Sequence, residues 1–249
     1  MISILELTLV NDSVERLTCN AGSILHGVIM QQINSKYAEK LHLNGLKPYS
    51  QYVRYIREEN ISIWRISGIS KQAIENIVMP IYNNDSKQIF IEHKNKAFNI
   101  AKKTIKHQTS YKLLADECFL GKKISRKLKI GFITPTSFKT NGEYQIIPNI
   151  ESIYKSIVGK WNAFSDAIYV DDNNTLDEII KNTKLVGYNL KSTIFHLEGV
   201  RIKSFIGDIE IYISGPEALV RLVNMLFEFA TYSGIGIKNS LGMGGIGIG

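Results

Sequence analysis

The chain has 249 residues, a formal net charge of +7 and 44% hydrophobic residues. That is enough apolar sequence for one large core or two smaller ones. No apolar run approaches the 18 residues that would read as a membrane span, and the opening MISILELTLV reads as a strand rather than a secretory signal. Cys19 and Cys118 stand far apart without metal spacing and read as reduced thiols, so the expected location is the cytoplasm.

ISILELTLV alternates as a strand does. AGSILHGVIMQQINSKYAEKLH carries helical periodicity through Leu25, Val28, Ile29 and Leu41. YSQYVRYIRE and ISIWRISGIS flank Glu59–Asn60 as a hairpin. SKQAIENIVMPIYN reads as a helix capped by Ser70 and ending near Pro80. KQIFIEH and AFNIAKKTIKHQT return to strand. The second half repeats the order: the strand KLKIGFITPT and an edge excursion, the helix NIESIYKSIVGKWNAF, and a shorter helix in TLDEIIKNT. A long hairpin turning near Gly199 follows, then a helix between Pro216 and Gly234, and a glycine-rich tail in the place of a last strand. The prediction is an α+β chain of two tandem ferredoxin-like (RRM-like, βαββαβ) domains, residues 1–118 and 119–249, with a C-terminal glycine-rich loop.

Charge is unevenly spread. Between Lys87 and Lys127 stand eleven Lys/Arg against three acids, a local excess as large as the whole net charge. Lysines interleaved with Phe90, Phe98 and Tyr111 predict a surface for a polyanion, against the plainer reading of a solvated basic face.

The tail GIGIKNSLGMGGIGIG holds seven glycines in sixteen residues, and Gly242, Gly244 and Gly247 match the G-x-G-x-x-G spacing of a dinucleotide turn. Only two residues follow Gly247, so no helix can begin there to meet a pyrophosphate, and the match is rejected. The expectation is instead a side-chain-free loop, with Lys238, Ser240, Gly242, Gly244 and Gly245 against an RNA phosphate backbone, leading to a short strand.

YSGIGIKNSLGMGG resembles the C-terminal glycine-rich loop of the CRISPR-associated endoribonucleases that process precursor CRISPR RNA, members of the RAMP superfamily. AGSILHGVIMQQINSKYAEKLH is similar to the first helix of that family. FITPTSFKTNGEYQIIPNIESIYKSI is similar to its inter-strand segment, and YNLKSTIFHLEGVRIKSFIGDIEIYISGP to its long hairpin. The likeness is greatest to the subtype III-A enzymes. It implies two ferredoxin-like domains and metal-independent cleavage within the repeats of precursor CRISPR RNA, with no cofactor. The 2′-OH attacks the adjacent phosphate to leave 2′,3′-cyclic phosphate and 5′-OH ends. It also implies handover of the product to a type III effector complex, and allows a homodimer. A non-catalytic RAMP subunit that scaffolds guide RNA is the alternative.

Proton transfer at a phosphate calls for groups that titrate near neutrality and for a fixed cation. In the family a histidine at the end of the first helix, followed by a lysine, forms the catalytic pair, which implies His42 and Lys47 here. The family's tyrosine within that helix has no match, Met30 being nearest, and His26 one turn earlier is the candidate substitute. His26 otherwise reads as a half-buried packing residue on the face of Met30, Ile33 and Tyr37. Sixteen residues place His26 and His42 about 160° apart on a straight helix, so one site needs a break, expected at Asn34–Ser35. His93, His107 and His196 read as phosphate contacts or surface residues. Lys155 is a candidate RNA contact, with an i, i+4 pair to Glu151 as the favoured reading. Lys191, Arg201 and Lys203 could grip the backbone along the hairpin. Tyr188 and Phe195 could stack bases, core packing being favoured for both.

Overall fold

The computed structural model describes residues 1–10, 16–43, 45–91, 96–121, 124–166, 168–170, 173–197 and 199–249. Its first half begins with β1 (Ile2–Val10), followed by α1 (Gly22–Gln32) and α2 (Ser35–His42), then the hairpin β2 (Tyr49–Ile56) and β3 (Ile61–Gly68). The sheet order is β2-β3-β1-β5-β4, every neighbour antiparallel, with β4 (Gln88–Ile91) and β5 (Lys96–Thr109). Without β4 this is the ferredoxin-like order, and β4 is an added edge strand folded back on β5.

Between β3 and β4 lie α3 (Lys71–Ala73), a π-helical turn (Ile74–Val78) and α4 (Met79–Asn83). Ser70 caps as expected, accepting Ala73 N–H at 3.1 Å. Pro80 does not end the helix. It falls in the first turn of α4, directly after the π turn, where a missing N–H is tolerated. Lys103 then donates to the Ile81 and Asn84 carbonyls where α4 ends.

α5 (Tyr111–Leu120) leads to the second sheet, β11-β6-β10-β9, again wholly antiparallel. Its elements are β6 (Lys127–Thr136), the small hairpin β7 (Phe138–Thr140) and β8 (Glu143–Gln145), α6 (Ile150–Phe164) and α7 (Asn173–Asn182). The hairpin β9 (Thr183–Leu197) and β10 (Val200–Ile213), α8 (Glu217–Ser233) and β11 (Ile246–Ile248) follow. The tail supplies the fourth strand of the second ferredoxin-like sheet. Gly199 turns the long hairpin at φ 83°, and Gly234 ends α8 at φ 68°, both in the left-handed region.

The two halves have separate cores that meet along β1. Leu5, Leu7 and Leu9 face the first core, whereas Ile2 and Ile4 join the second. Tyr111 belongs to the second core, edge-on to Trp161 with ring centroids 4.9 Å apart, and Phe229 packs on both. Phe98 and Tyr111 are therefore interior residues and not part of a basic, aromatic surface, and only Phe90 of that expected trio is exposed. Among the described residues no helix is long and apolar enough to cross a membrane.

Candidate functional site

The break between α1 and α2 builds the site. Ile33 leaves α1 extended, at φ −101° and ψ 163°, and Asn34 restarts the helix by accepting Lys36 N–H at 3.0 Å. The chain then runs from His42, the last residue of α2, through Lys47 to Tyr49 at the head of β2. Two histidines that would diverge on a straight helix are near enough for the charge of His42 to act on His26. Burial, and then the charges of His42 and Lys47, pull the His26 imidazole down to about 4. His26 is therefore neutral at pH 7. His42 is exposed, and Lys47 is half-buried with its amine on the Leu43 carbonyl at 2.5 Å.

Tyr49 was not singled out in the sequence, although it follows Lys47 by two residues. Its hydroxyl lies 2.6 Å from His26 Nδ1, with the rings nearly parallel at 5°. Its neighbours across the cleft include Ser240 of the glycine-rich tail, and burial keeps it protonated. The link fixes the imidazole. When His26 donates from Nδ1 to Tyr49, Nε2 is left with a free lone pair.

Tyr49 begins a run of four residues on β2 that each touch the second half of the molecule. Ser50 donates to the Tyr232 carbonyl at 2.5 Å. Gln51 is buried and donates to the Gly22 and Ser240 carbonyls at 2.7 and 3.0 Å while accepting Trp64 Nε1–H at 2.9 Å. Tyr52 lies under Gly245.

Tyr49, at the head of this seam, lines a cleft of about 390 Å³ with Lys47 beside it and Lys160, Lys238, Asn239 and Ser240 across from it, while His26 and His42 stand outside its lining. Lys238 is exposed, and its backbone is left-handed, at φ 55° and ψ 36°, a conformation in which a glycine would cost less. Lys160 is buried and aims its amine at three acceptors. These are the Ser233 carbonyl at 3.2 Å, the Gly234 carbonyl at 2.8 Å and Asn239 Oδ1. It thereby holds the C-terminal end of α8 to the loop, where the helix dipole favours a cation. Burial opposes the charge and draws the amine down to about 7. The sequence carries a usable signal for Lys160: it sits seven residues after Ile153 and three after Ile157, in the apolar stripe of α6.

The glycines differ from expectation. Gly242, Gly244 and Gly245 are buried. A Cβ on Gly242 would stand 2.9 Å from Gly22 Cα, on Gly244 2.0 Å from the Ile235 carbonyl oxygen, and on Gly245 2.5 Å from the Tyr52 ring. The Gly244 amide donates to the Pro135 carbonyl and the Gly245 amide to Thr134 Oγ1. These glycines let the tail pack closely against β6, α1 and β2, and the amides of Gly244 and Gly245 are already used within the protein. The loop surface that faces the cleft is 236–241.

Of the remaining expected contacts, Lys155 pairs with Glu151 on the exposed face of α6. Lys191, Arg201 and Lys203 are exposed along β9 and β10, and none of the four lines the cleft. Phe195 is interior, whereas Tyr188 is exposed and not a core residue. His107 Nδ1 lies 2.8 Å from the Tyr232 hydroxyl, His196 is exposed opposite Arg201, and His93 lies outside the described residues. Among the described residues no group of three His, Cys, Asp or Glu stands together as a metal site.

The family model of the CRISPR-associated endoribonuclease Cas6 matches residues 130–246. The chain is 31% identical over 249 residues to a CRISPR-associated endoribonuclease Cas6 of Mycobacterium tuberculosis (strain CDC 1551 / Oshkosh), covering 98% of this chain and 77% of that one. It is 29% identical over 221 residues to a CRISPR-associated endoribonuclease Cas6 of Streptococcus thermophilus, covering 89% and 88%. Among solved structures, a Cas6 product complex superposes with a TM-score of 0.82 at 18% identity, covering 100% of this chain and 99% of that chain.

Proposed function

The chain belongs to the Cas6 family of CRISPR-associated endoribonucleases, and from that premise we propose that it cuts the repeats of precursor CRISPR RNA without a metal, by transesterification in the cleft described above. The N-terminal unit, residues 1–118, supplies the proton-transfer groups, and residues 119–249 supply the facing loop. The observation that carries this reading is His26 held by Tyr49 at 2.6 Å and near enough to His42 and Lys47 to feel their charge, with Tyr49 and Lys47 lining one cleft with Ser240.

His26 is neutral, and in the tautomer that donates from Nδ1 to Tyr49 its Nε2 takes the proton of the ribose 2′-OH as the 2′ oxygen attacks phosphorus. Its affinity for that proton is low in the free protein because it is buried and, after that, because of the charges of His42 and Lys47. A bound phosphate offsets both charges and raises it. His42 is exposed and delivers a proton to the departing 5′ oxygen. Lys47 and Lys238 face each other across the cleft and stabilise the charge of the pentacoordinate phosphorus. The 2′ oxygen–phosphorus bond forms, the phosphorus–5′ oxygen bond breaks, and the products carry a 2′,3′-cyclic phosphate and a 5′-OH. A pair of imidazoles and two ammonium groups suffices for these transfers. The released unit would pass to a type III effector complex.

The test is incubation with repeat RNA in EDTA beside the same RNA carrying a 2′-deoxyribose at the cut. Cleavage of the first alone supports the reading, and failure to cut any repeat RNA overturns it. His26→Ala and His42→Ala measured separately in single turnover assign the two proton transfers.

A further inference from the structure

We infer that a second cleft, on the far side of Leu46 and Lys47, receives a single unstacked nucleobase of the RNA. This rests on the nuclease reading above and adds a specificity site to it. The cleft holds about 480 Å³ and is walled by Leu41, Leu43, Leu46, Pro48 and Phe164. Such a volume and lining suit a small, flat apolar group. Leu43 and Leu46 are 68% and 51% exposed, which leaves two leucines open to solvent beside the reactive groups.

Polar features point the same way. Tyr37 lines this cleft, is only 8% exposed, and its hydroxyl has no hydrogen-bond partner among the described residues. A buried hydroxyl in that state is satisfied when a ligand or water reaches it. Lys40, Lys47 and Lys71 stand around the opening against one carboxylate, Asp166. Lys40 donates to Gln72 Oε1 at 2.8 Å, which ties α2 to α3 across the opening. An apolar interior with a cationic rim matches a base carried on a phosphate chain.

Continuity with the first cleft decides the occupant. Leu46 and Lys47 line both cavities, so they form a ridge between them. An RNA strand whose phosphate lies on Lys47 in the first cleft has its neighbouring nucleotide at the mouth of the second. Single-stranded RNA is read by splaying its bases into such pockets.

The experiment uses full-length protein and repeat RNA made uncleavable by 2′-deoxyribose at the cut, with an abasic site moved through the repeat one position at a time. Affinity is read by fluorescence anisotropy for the wild type and for Leu43→Trp, which fills the cleft from an exposed position and removes no core packing. One abasic position near the cut is expected to weaken wild-type binding about tenfold, the worth of one stacked base. Leu43→Trp should bind intact RNA about tenfold more weakly and be indifferent to that same abasic site. Tyr37→Phe should give a smaller loss confined to that position. If wild type and Leu43→Trp respond alike at every abasic position, the pocket is not a base site. That failure is separate from failure of the nuclease reading, which would appear as uncut native RNA with the binding pattern intact.

Discussion

The two walls of the central cleft are held in opposite ways. On the wall built by the chain between α2 and β2, Leu46 is exposed and Lys47 reaches no further than its neighbour Leu43, and His42, at the end of α2 outside the cleft, is exposed as well. On the facing wall Lys160 and Asn239 bind the loop at five backbone or side-chain groups between them, and Gln51 adds the Ser240 carbonyl. One wall carries reactive groups with freedom to adjust, and the other is a platform fixed before any RNA arrives. Tyr49 holds His26 and lines the cleft with Ser240, and Gln51, two residues on along β2, bonds the Ser240 carbonyl of the fixed side. Preorganised charge lowers barriers most when it need not move during reaction.

That contrast can be broken from either side. The largest effect is expected on the reactive wall. His42→Ala and His26→Ala should each cut the single-turnover rate by about 10²–10⁴, His42→Ala with thermal stability near wild type and His26→Ala with a loss of about 1–3 kcal/mol as the buried Tyr49 hydroxyl loses its partner. A rate within twofold of wild type for either would remove that residue from the chemistry. On the fixed wall the outcome should be the reverse in kind. Lys160→Met leaves three acceptors in the interior without a donor and should cost roughly 3–5 kcal/mol in chemical denaturation, before any effect on cleavage is considered. Gly245→Ala should cost about 1–3 kcal/mol because its Cβ would meet the Tyr52 ring, whereas Gly27→Ala, which meets nothing within 4 Å, should be neutral or stabilising.

Two finer measurements sharpen the comparison. His26 is held neutral at about 4 against an ordinary 6.5. The unfolded chain therefore binds this proton between those values and the folded protein does not, so stability rises with pH across that window and is lost as pH falls through it. His26→Gln should flatten the stability profile between pH 6.5 and 4, and an unchanged profile would show that His26 titrates normally. RNA binding should be coupled to uptake of a proton by His26 in the same window. The smallest change belongs to Lys238→Ala. Removing one exposed cation from the loop should lower the slope of log affinity against log salt by about 0.7 without altering fold stability. No change in slope would place the RNA elsewhere.

Much of this arrangement is readable in the sequence. Alternation and turn residues locate the strands and Gly199 the hairpin turn, and the spacing of His26 and His42 itself calls for the break that Ile33 and Asn34 supply. What escapes is long-range. Tyr49 looks like an ordinary strand residue until α1 is placed beside it. The Lys160 signal, a charge in an apolar stripe, does not reveal its partners, because Ser233, Gly234 and Asn239 lie more than seventy positions away. The glycines of the tail are conspicuous, yet composition cannot distinguish a loop opened for a phosphate from one closed against its own protein.

The sequence by itself determined the two βαββαβ units, the broken first helix and the use of the tail as a last strand, because these follow from periodicity and capping within short stretches. Only the tertiary structure decided that Gly242, Gly244 and Gly245 face inward, that Tyr49 holds His26 while Gln51 bonds Ser240, and that the buried Lys160 amine fixes the loop. Several of those contacts join residues about two hundred positions apart or more, and their distances are set by how two separate cores dock along β1 and β2.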